Sequence, residues 1–140
     1  MRVTKMFTFD AGHRLSDYEG KCKRLHGHTY KLEVTLEGKV DKLGMVVDFG
    51  ELKNMYGLWV ETKFDHKMIL KMGDSYNEKL AKSLPEDDES ICWVEYNPTA
   101  ENMANDIFNI FKGKLKEISY SVKIIKVRLY ETPTSYAEVI

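Results

Sequence analysis

The stretch TYKLEVTLEG, Thr29–Gly38, decides the fold. Tyr30, Leu32, Val34 and Leu36 alternate with Lys31, Glu33, Thr35 and Glu37, the two-residue period of a strand with one apolar and one wet face. Working outward, strand-like patterns recur in KMFTFDA before it and in GMVVDF, ICWVEY and SVKIIKVRLYE after it. In the last of these, Ile125, Val127 and Leu129 share a face with Glu131. Two helices are expected among these strands. The first opens at DFGE, with Asp48 as N-cap, Glu51 as its capping-box partner and an apolar face of Phe49, Leu52, Met55, Tyr56, Trp59 and Val60. The second follows NPTAEN, with Thr99 as N-cap and Met103, Ala104, Ile107, Phe108, Phe111 and Leu115 as its buried stripe. A weaker helical turn is expected in YNEKLAKSL, followed by the solvated acidic loop PEDDES. The order of elements predicts an α+β chain in which hairpins join the strands of a mostly antiparallel sheet and two helices cover one face.

The chain has 140 residues, a length that suits one domain over 1–140. With 21 basic and 22 acidic residues, it has no broad positive field for a nucleic acid backbone. An apolar share of 43% beside 31% charged residues fits a folded globular chain. No apolar run reaches the roughly 20 residues of a membrane helix, and MRVTKMFTFD does not read as a signal peptide, so a cytoplasmic protein is expected. Two cysteines, Cys22 and Cys92, are too few for a disulfide framework. Cys92 reads as a buried strand residue.

Three of the four histidines fall near the first hairpin. His26 and His28 are two apart and project to one side past Gly27, and pairing of the first two strands returns His13 beside them. Three neutral imidazoles suit zinc. HGH alone also reads as two polar surface residues, and His13 at hairpin reach with a nearby thiol tips the balance toward metal. The role of Cys22 in CKRLHGH stays open on the residues alone. As a fourth ligand it would close a structural site; as a free thiol it would act as base or nucleophile, provided a partner stabilises the thiolate. Asp65 and His66, in FDHK, are a carboxylate–imidazole pair that can tune such a thiol if a turn brings them together; otherwise they act on different groups, and a DH dipeptide alone reads as a helix end or loop contact. Glu131 ends an apolar strand face, where a carboxylate is either solvated at the rim or buried against a ligand that donates two hydrogen bonds, as the paired N–H groups of a guanidine-like heterocycle edge would. Glu101 has a sufficient reading as a favourable charge in the first turn of its helix.

Taken in order, FDAGHRL, CKRLHGHTYKLEV, GMVVDFGELK, DHK, NPTAEN and YET resemble the 6-pyruvoyl- and 6-carboxy-tetrahydropterin synthase family nearly end to end. The resemblance implies that His13, His26 and His28 carry catalytic zinc. It implies that Cys22 is the proton acceptor and not a ligand, with Asp65 and His66 as its relay. Glu131 matches the anchor of the pterin ring, and Thr99 and Glu101 lie in the motif lining that pocket. The implied substrate is 7,8-dihydroneopterin triphosphate. The three residues between Cys22 and His26 look like the carboxy branch, which serves queuosine and other deazapurines and yields 6-carboxy-5,6,7,8-tetrahydropterin with loss of acetaldehyde. Formation of the pyruvoyl product, cleavage to 6-hydroxymethyl-dihydropterin, and a non-catalytic zinc-stabilised binding module are the competing expectations. The implied fold is the tunnelling fold, whose subunits close a barrel with active sites between chains, so a homo-oligomer, a hexamer, is expected.

Overall fold

A computed structural model describes residues 1–116 and 121–140. Strands β1 (Arg2–His13) and β2 (His26–Glu37) form a long antiparallel hairpin whose register runs from Arg2 opposite Glu37 to His13 opposite His26. Helical structure follows as α1 (Phe49–Leu52), a π-helical turn (Lys53–Gly57) and α2 (Leu58–Lys63). Then come β3 (Lys67–Lys71), α3 (Ser75–Lys82), β4 (Ile91–Val94), α4 (Ala100–Leu115), β5 (Lys123–Thr132) and β6 (Ser135–Val139). The six strands lie in the order β4-β3-β1-β2-β5-β6.

The apolar row of β2 forms the centre of the core. Tyr30, Leu32, Val34 and Leu36 are wholly buried, beneath Leu52, Tyr56 and Val60 of the first helical segment and Met103, Ile107 and Phe111 of α4. Tyr56 stacks on Phe111 with centroids 4.1 Å apart, and Phe9 stacks on Tyr30 at 5.0 Å. Burying a side chain of this size contributes roughly 1.5–3 kcal/mol relative to exposure. The helices therefore fix one face of the hairpin. Asp48 caps α1 by accepting from the Gly50 amide, and Thr99 caps α4 by accepting from the Asn102 amide, as their positions predict.

Four features depart from the sequence reading. The sheet is mixed, because β3 runs parallel to β1 and β4 parallel to β3. Helical connections replace hairpins here: the α1–α2 segment carries the chain from β2 to the far side of β1, and α3 returns it from β3 to β4 in the same direction. GMVVDF is not a strand but a loop leading into α1, while β3 and β6 arise where no strand was expected. A bulge between Thr35 and Leu36 sets Ile124 opposite Leu36 and Lys126 opposite Thr35, so Ile124 takes the core position expected of Ile125. Finally, the wet face of β2 is polar but largely covered. Glu33 lies 3.1 Å from Lys31 and 3.8 Å from Arg128, and Thr35 shares a 2.9 Å hydrogen bond with Thr4. No described helix is long and apolar enough to cross a membrane.

Candidate functional site

The histidines continue the buried row of β2 beyond Tyr30, so His28 and His26 occupy the end of the core face and His13 meets them from β1. Their ligand nitrogens all lie within 4.8 Å of one another. Gly27 faces the other way, and the close approach of the strands there leaves no room for a side chain. A Cβ at this position would stand 2.9 Å from the Ala11 carbonyl oxygen.

Hydrogen bonding fixes the imidazole tautomers. His13 Nδ1 lies 2.7 Å from the Pro98 carbonyl oxygen and His26 Nδ1 lies 2.7 Å from that of Arg24. A carbonyl can only accept, so each Nδ1 carries the proton and each Nε2 presents a bare lone pair. These two Nε2 atoms are 3.0 Å apart, an arrangement that repels unless a cation stands between them. His28 Nε2 is buried without any hydrogen-bond partner, a state that costs roughly 1–3 kcal/mol. Burial pushes the pKa of His13 and His28 below the ordinary histidine value, although the Pro98 bond on His13 and the Glu131 charge near both oppose it. Three neutral imidazoles with free lone pairs fit a metal ion, and the carbonyls behind two of them give the outer support that metal-bound histidines use.

A cavity of about 260 Å³ opens beside this cluster. His13, Cys22, Thr99, Glu101 and Glu131 line it, so the structure brings five predicted site residues to one place. Cys22 sits on the turn Lys21–Lys23, partly exposed, and is outside the histidine cluster. Glu131 occurs where the β5–β6 pairing is irregular, between Tyr130 and Thr132, and its Oε1 lies 3.6 Å from His13 Nε2 and 3.9 Å from His28 Nε2. Thr99 also serves as the N-cap of α4, so its hydroxyl has a structural role in addition to its place on the wall.

Asp65 and His66 are elsewhere. The two meet through a turn, with His66 at φ +58°, and Asp65 Oδ2 accepts from His66 Nδ1 at 2.9 Å. The other Asp65 oxygen accepts from the Asp10 amide at 2.9 Å, and that bond is the main reason its carboxyl is held below the usual range. The Asp65 hydrogen bond raises the pKa of His66. His66 opens onto a different cavity, lined also by Asp10, Gly12, Gly27, His28 and Thr29. Among the described cavities, none is lined by both Cys22 and either member of the pair.

Sequence reasoning missed Tyr18 and Tyr136, which line the Cys22 cavity. Tyr18 lies in a loop without periodicity and Tyr136 in the unexpected strand β6, so neither carried a positional signal. It also missed the two carbonyl oxygens, since any residue supplies one.

An open three-histidine cluster beside a free thiol and a carboxylate has the form of an enzyme's active site rather than of a closed structural metal centre. Residues 2–140 match the family model for 6-pyruvoyl tetrahydropterin synthase, and the chain belongs to that family of enzymes. It is 40% identical over 99% of both chains to the 6-carboxy-5,6,7,8-tetrahydropterin synthase of Rickettsia bellii. With the enzyme of that name from Haemophilus influenzae it shares 36% identity over 98% of this chain and 96% of the relative. Among solved structures, an uncharacterised protein of Wolinella succinogenes superposes with a TM-score of 0.82 at 25% identity, covering 99% of this chain and 97% of the other. The Caenorhabditis elegans 6-pyruvoyl tetrahydropterin synthase superposes with a TM-score of 0.68 at 29% identity, covering 99% and 94%.

Proposed function

We propose that this tetrahydropterin synthase is zinc-dependent and converts 7,8-dihydroneopterin triphosphate and one water to 6-carboxy-5,6,7,8-tetrahydropterin, releasing acetaldehyde and triphosphate. The observation that carries the reading is the facing pair of Nε2 lone pairs at 3.0 Å, opening on a cavity that also holds Cys22 and Glu131. His13, His26 and His28 would hold the ion, which supplies Lewis acidity toward the hydroxyls of the substrate side chain. Glu131 accepts paired hydrogen bonds from the guanidine-like edge of the pterin, and so fixes the ring in the cavity. Cys22 Sγ takes a proton from the side chain thus positioned. Thr99 and Glu101 form the wall on the α4 side.

Asp65 and His66 act on the thiol of a second copy of the chain, which accounts for their separation from Cys22 here. Assembly is favoured by the sheet edges. Among described residues, β1 meets β3 only through Ala11–His13, leaving Arg2–Asp10 without a strand on that side. A homohexamer working in the cytoplasm, with the whole chain as one domain, completes the reading. The carboxy product is preferred to the pyruvoyl one because the full-length relatives at 36–40% identity carry the carboxy name.

Mass spectrometry of the products formed from 7,8-dihydroneopterin triphosphate tests the proposal. The carboxy pterin with acetaldehyde is expected. A pyruvoyl or hydroxymethyl product would redirect the assignment, and no turnover by zinc-loaded protein would leave only the binding-module reading. Cys22→Ala should keep its zinc and lose turnover.

A further inference from the structure

The segment between His13 and His26, which carries the thiol, has little apolar anchorage. The turn Lys21–Lys23 buries no residue, and Tyr18 and Leu25 are exposed. Polar contacts hold it instead. Near its start, Asn97 clasps the Ser16 backbone twice, its Oδ1 accepting from the Ser16 amide at 2.7 Å and its Nδ2 donating to the Ser16 carbonyl at 2.9 Å. Around Cys22 two bonds matter. The Leu15 amide donates to the Cys22 carbonyl at 2.9 Å, and Arg14 Nε donates to the Lys23 carbonyl at 3.0 Å.

Arg14 is only 9% exposed and is gripped from its far side by the crossover segment. Its Nη1 donates to Asp74 Oδ1 at 2.9 Å and to Asn77 Oδ1 at 2.8 Å, and its guanidinium lies 4.5 Å from the Tyr76 ring centroid. Both partners are themselves fixed. Asp74 caps α3 through the amides of Tyr76 and Asn77, and the wholly buried Asn77 donates to the Lys71 carbonyl at 3.0 Å. A planar guanidinium can satisfy two such directions at once, whereas an ammonium on a flexible stem cannot reproduce the fork.

We propose that Arg14 is a positioning residue for Cys22: it carries the rigidity of α3, through Asp74 and Asn77, to the Lys23 carbonyl and so sets where the thiol stands in the cavity. The proposal rests on the reading of Cys22 as the proton acceptor, and it gives α3 a task in the reaction beyond joining β3 to β4. Displacement of a reacting group by about 1 Å can lower turnover on the order of a hundredfold.

Two variants keep the fold while loosening the clasp. Arg14→Lys keeps the charge but loses the fork. Asp74→Asn keeps a good N-cap for α3 and loses the ion pair. With zinc-loaded protein and 7,8-dihydroneopterin triphosphate, Arg14→Lys is expected to lower kcat about tenfold or more with KM within about threefold, and Asp74→Asn to fall between it and the parent. Zinc content should not change. Hydrogen exchange at the Lys23 and Arg24 amides should quicken about tenfold in Arg14→Lys while the amides of Lys31–Leu36 stay protected. Unaltered exchange at Lys23 and Arg24, or a kcat that falls only in proportion to lost zinc or lost folded protein, overturns the proposal. Full turnover in Cys22→Ala overturns the reading beneath it, whereas an inactive Cys22→Ala beside an unimpaired Arg14→Lys overturns the role of Arg14 alone.

Discussion

Stripping and restoring the metal should move the melting temperature of this chain by a calculable amount. In the described geometry His13 and His26 direct two lone pairs at each other across 3.0 Å and His28 holds a third buried nitrogen without a partner. An ion bound by all three rings would give each of these nitrogens a partner. At free zinc a hundred times the dissociation constant, binding to the folded state alone contributes about 2.7 kcal/mol. Unfolding entropy of about 2.1 cal/mol/K per residue, over the 140 residues of the chain, gives roughly 0.3 kcal/mol per degree near the midpoint, so a rise of about 9 °C follows. His28→Ala should abolish most of that rise. Its metal-free form should melt within about 3 °C of the metal-free parent, because the lost ring contacts are offset by removing a buried acceptor whose desolvation costs about 1–3 kcal/mol. The assay is scanning calorimetry of chelator-treated protein across a zinc titration. No rise with zinc in the parent, or an equal rise in His28→Ala, would refute the reasoning from tautomers and lone pairs.

Glu131→Gln should weaken substrate binding by about 2–3 kcal/mol, the scale of a charge-assisted pair made unequal, and an unchanged KM would count against its role as ring anchor. The imidazole of His66 should titrate above 6.5 in a proton-detected NMR experiment and fall back in Asp65→Asn, because its raised pKa comes chiefly from the Asp65 hydrogen bond. The sign follows from that direction: the stabilisation is complete below the unfolded pKa of about 6.5 and is lost as pH rises through the folded value. A His66 titration identical in the two proteins would remove Asp65 as the cause. Gly27→Ala should lower zinc affinity and cost about 1–3 kcal/mol in chemical denaturation, since its Cβ would meet the Ala11 carbonyl oxygen, a backbone atom, at 2.9 Å. A variant that binds zinc as the parent does would show that the strands can part there without moving the rings.

The hairpin and the convergence of its three histidines are legible in the sequence for one reason. The alternation from Tyr30 to Leu36 fixes which face is buried, and extending that period by two and four residues places His28 and His26 on the same face. His13 followed once the strands paired. The parallel arm was not legible, since KMILK is too short to show a period and the direction of β3 depends on a crossover. Ile125 was misplaced because a bulge adds a residue that no pattern marks. The relation of Asp65 and His66 to Cys22 depends on where a distant turn packs, and the sequence states only that the pair needs a turn to meet. Arg14 escaped notice because its bonds run to a backbone carbonyl and to residues some sixty positions away.

The three imidazoles come from both legs of one hairpin, with His13 directly across from His26. A slip of one position between those legs would send one leg's ring to the opposite side of the sheet, and the ion would lose its seat. A cation bound by all three rings would therefore be retained only by hairpins in this alignment, so correct pairing and metal retention would stand or fall together.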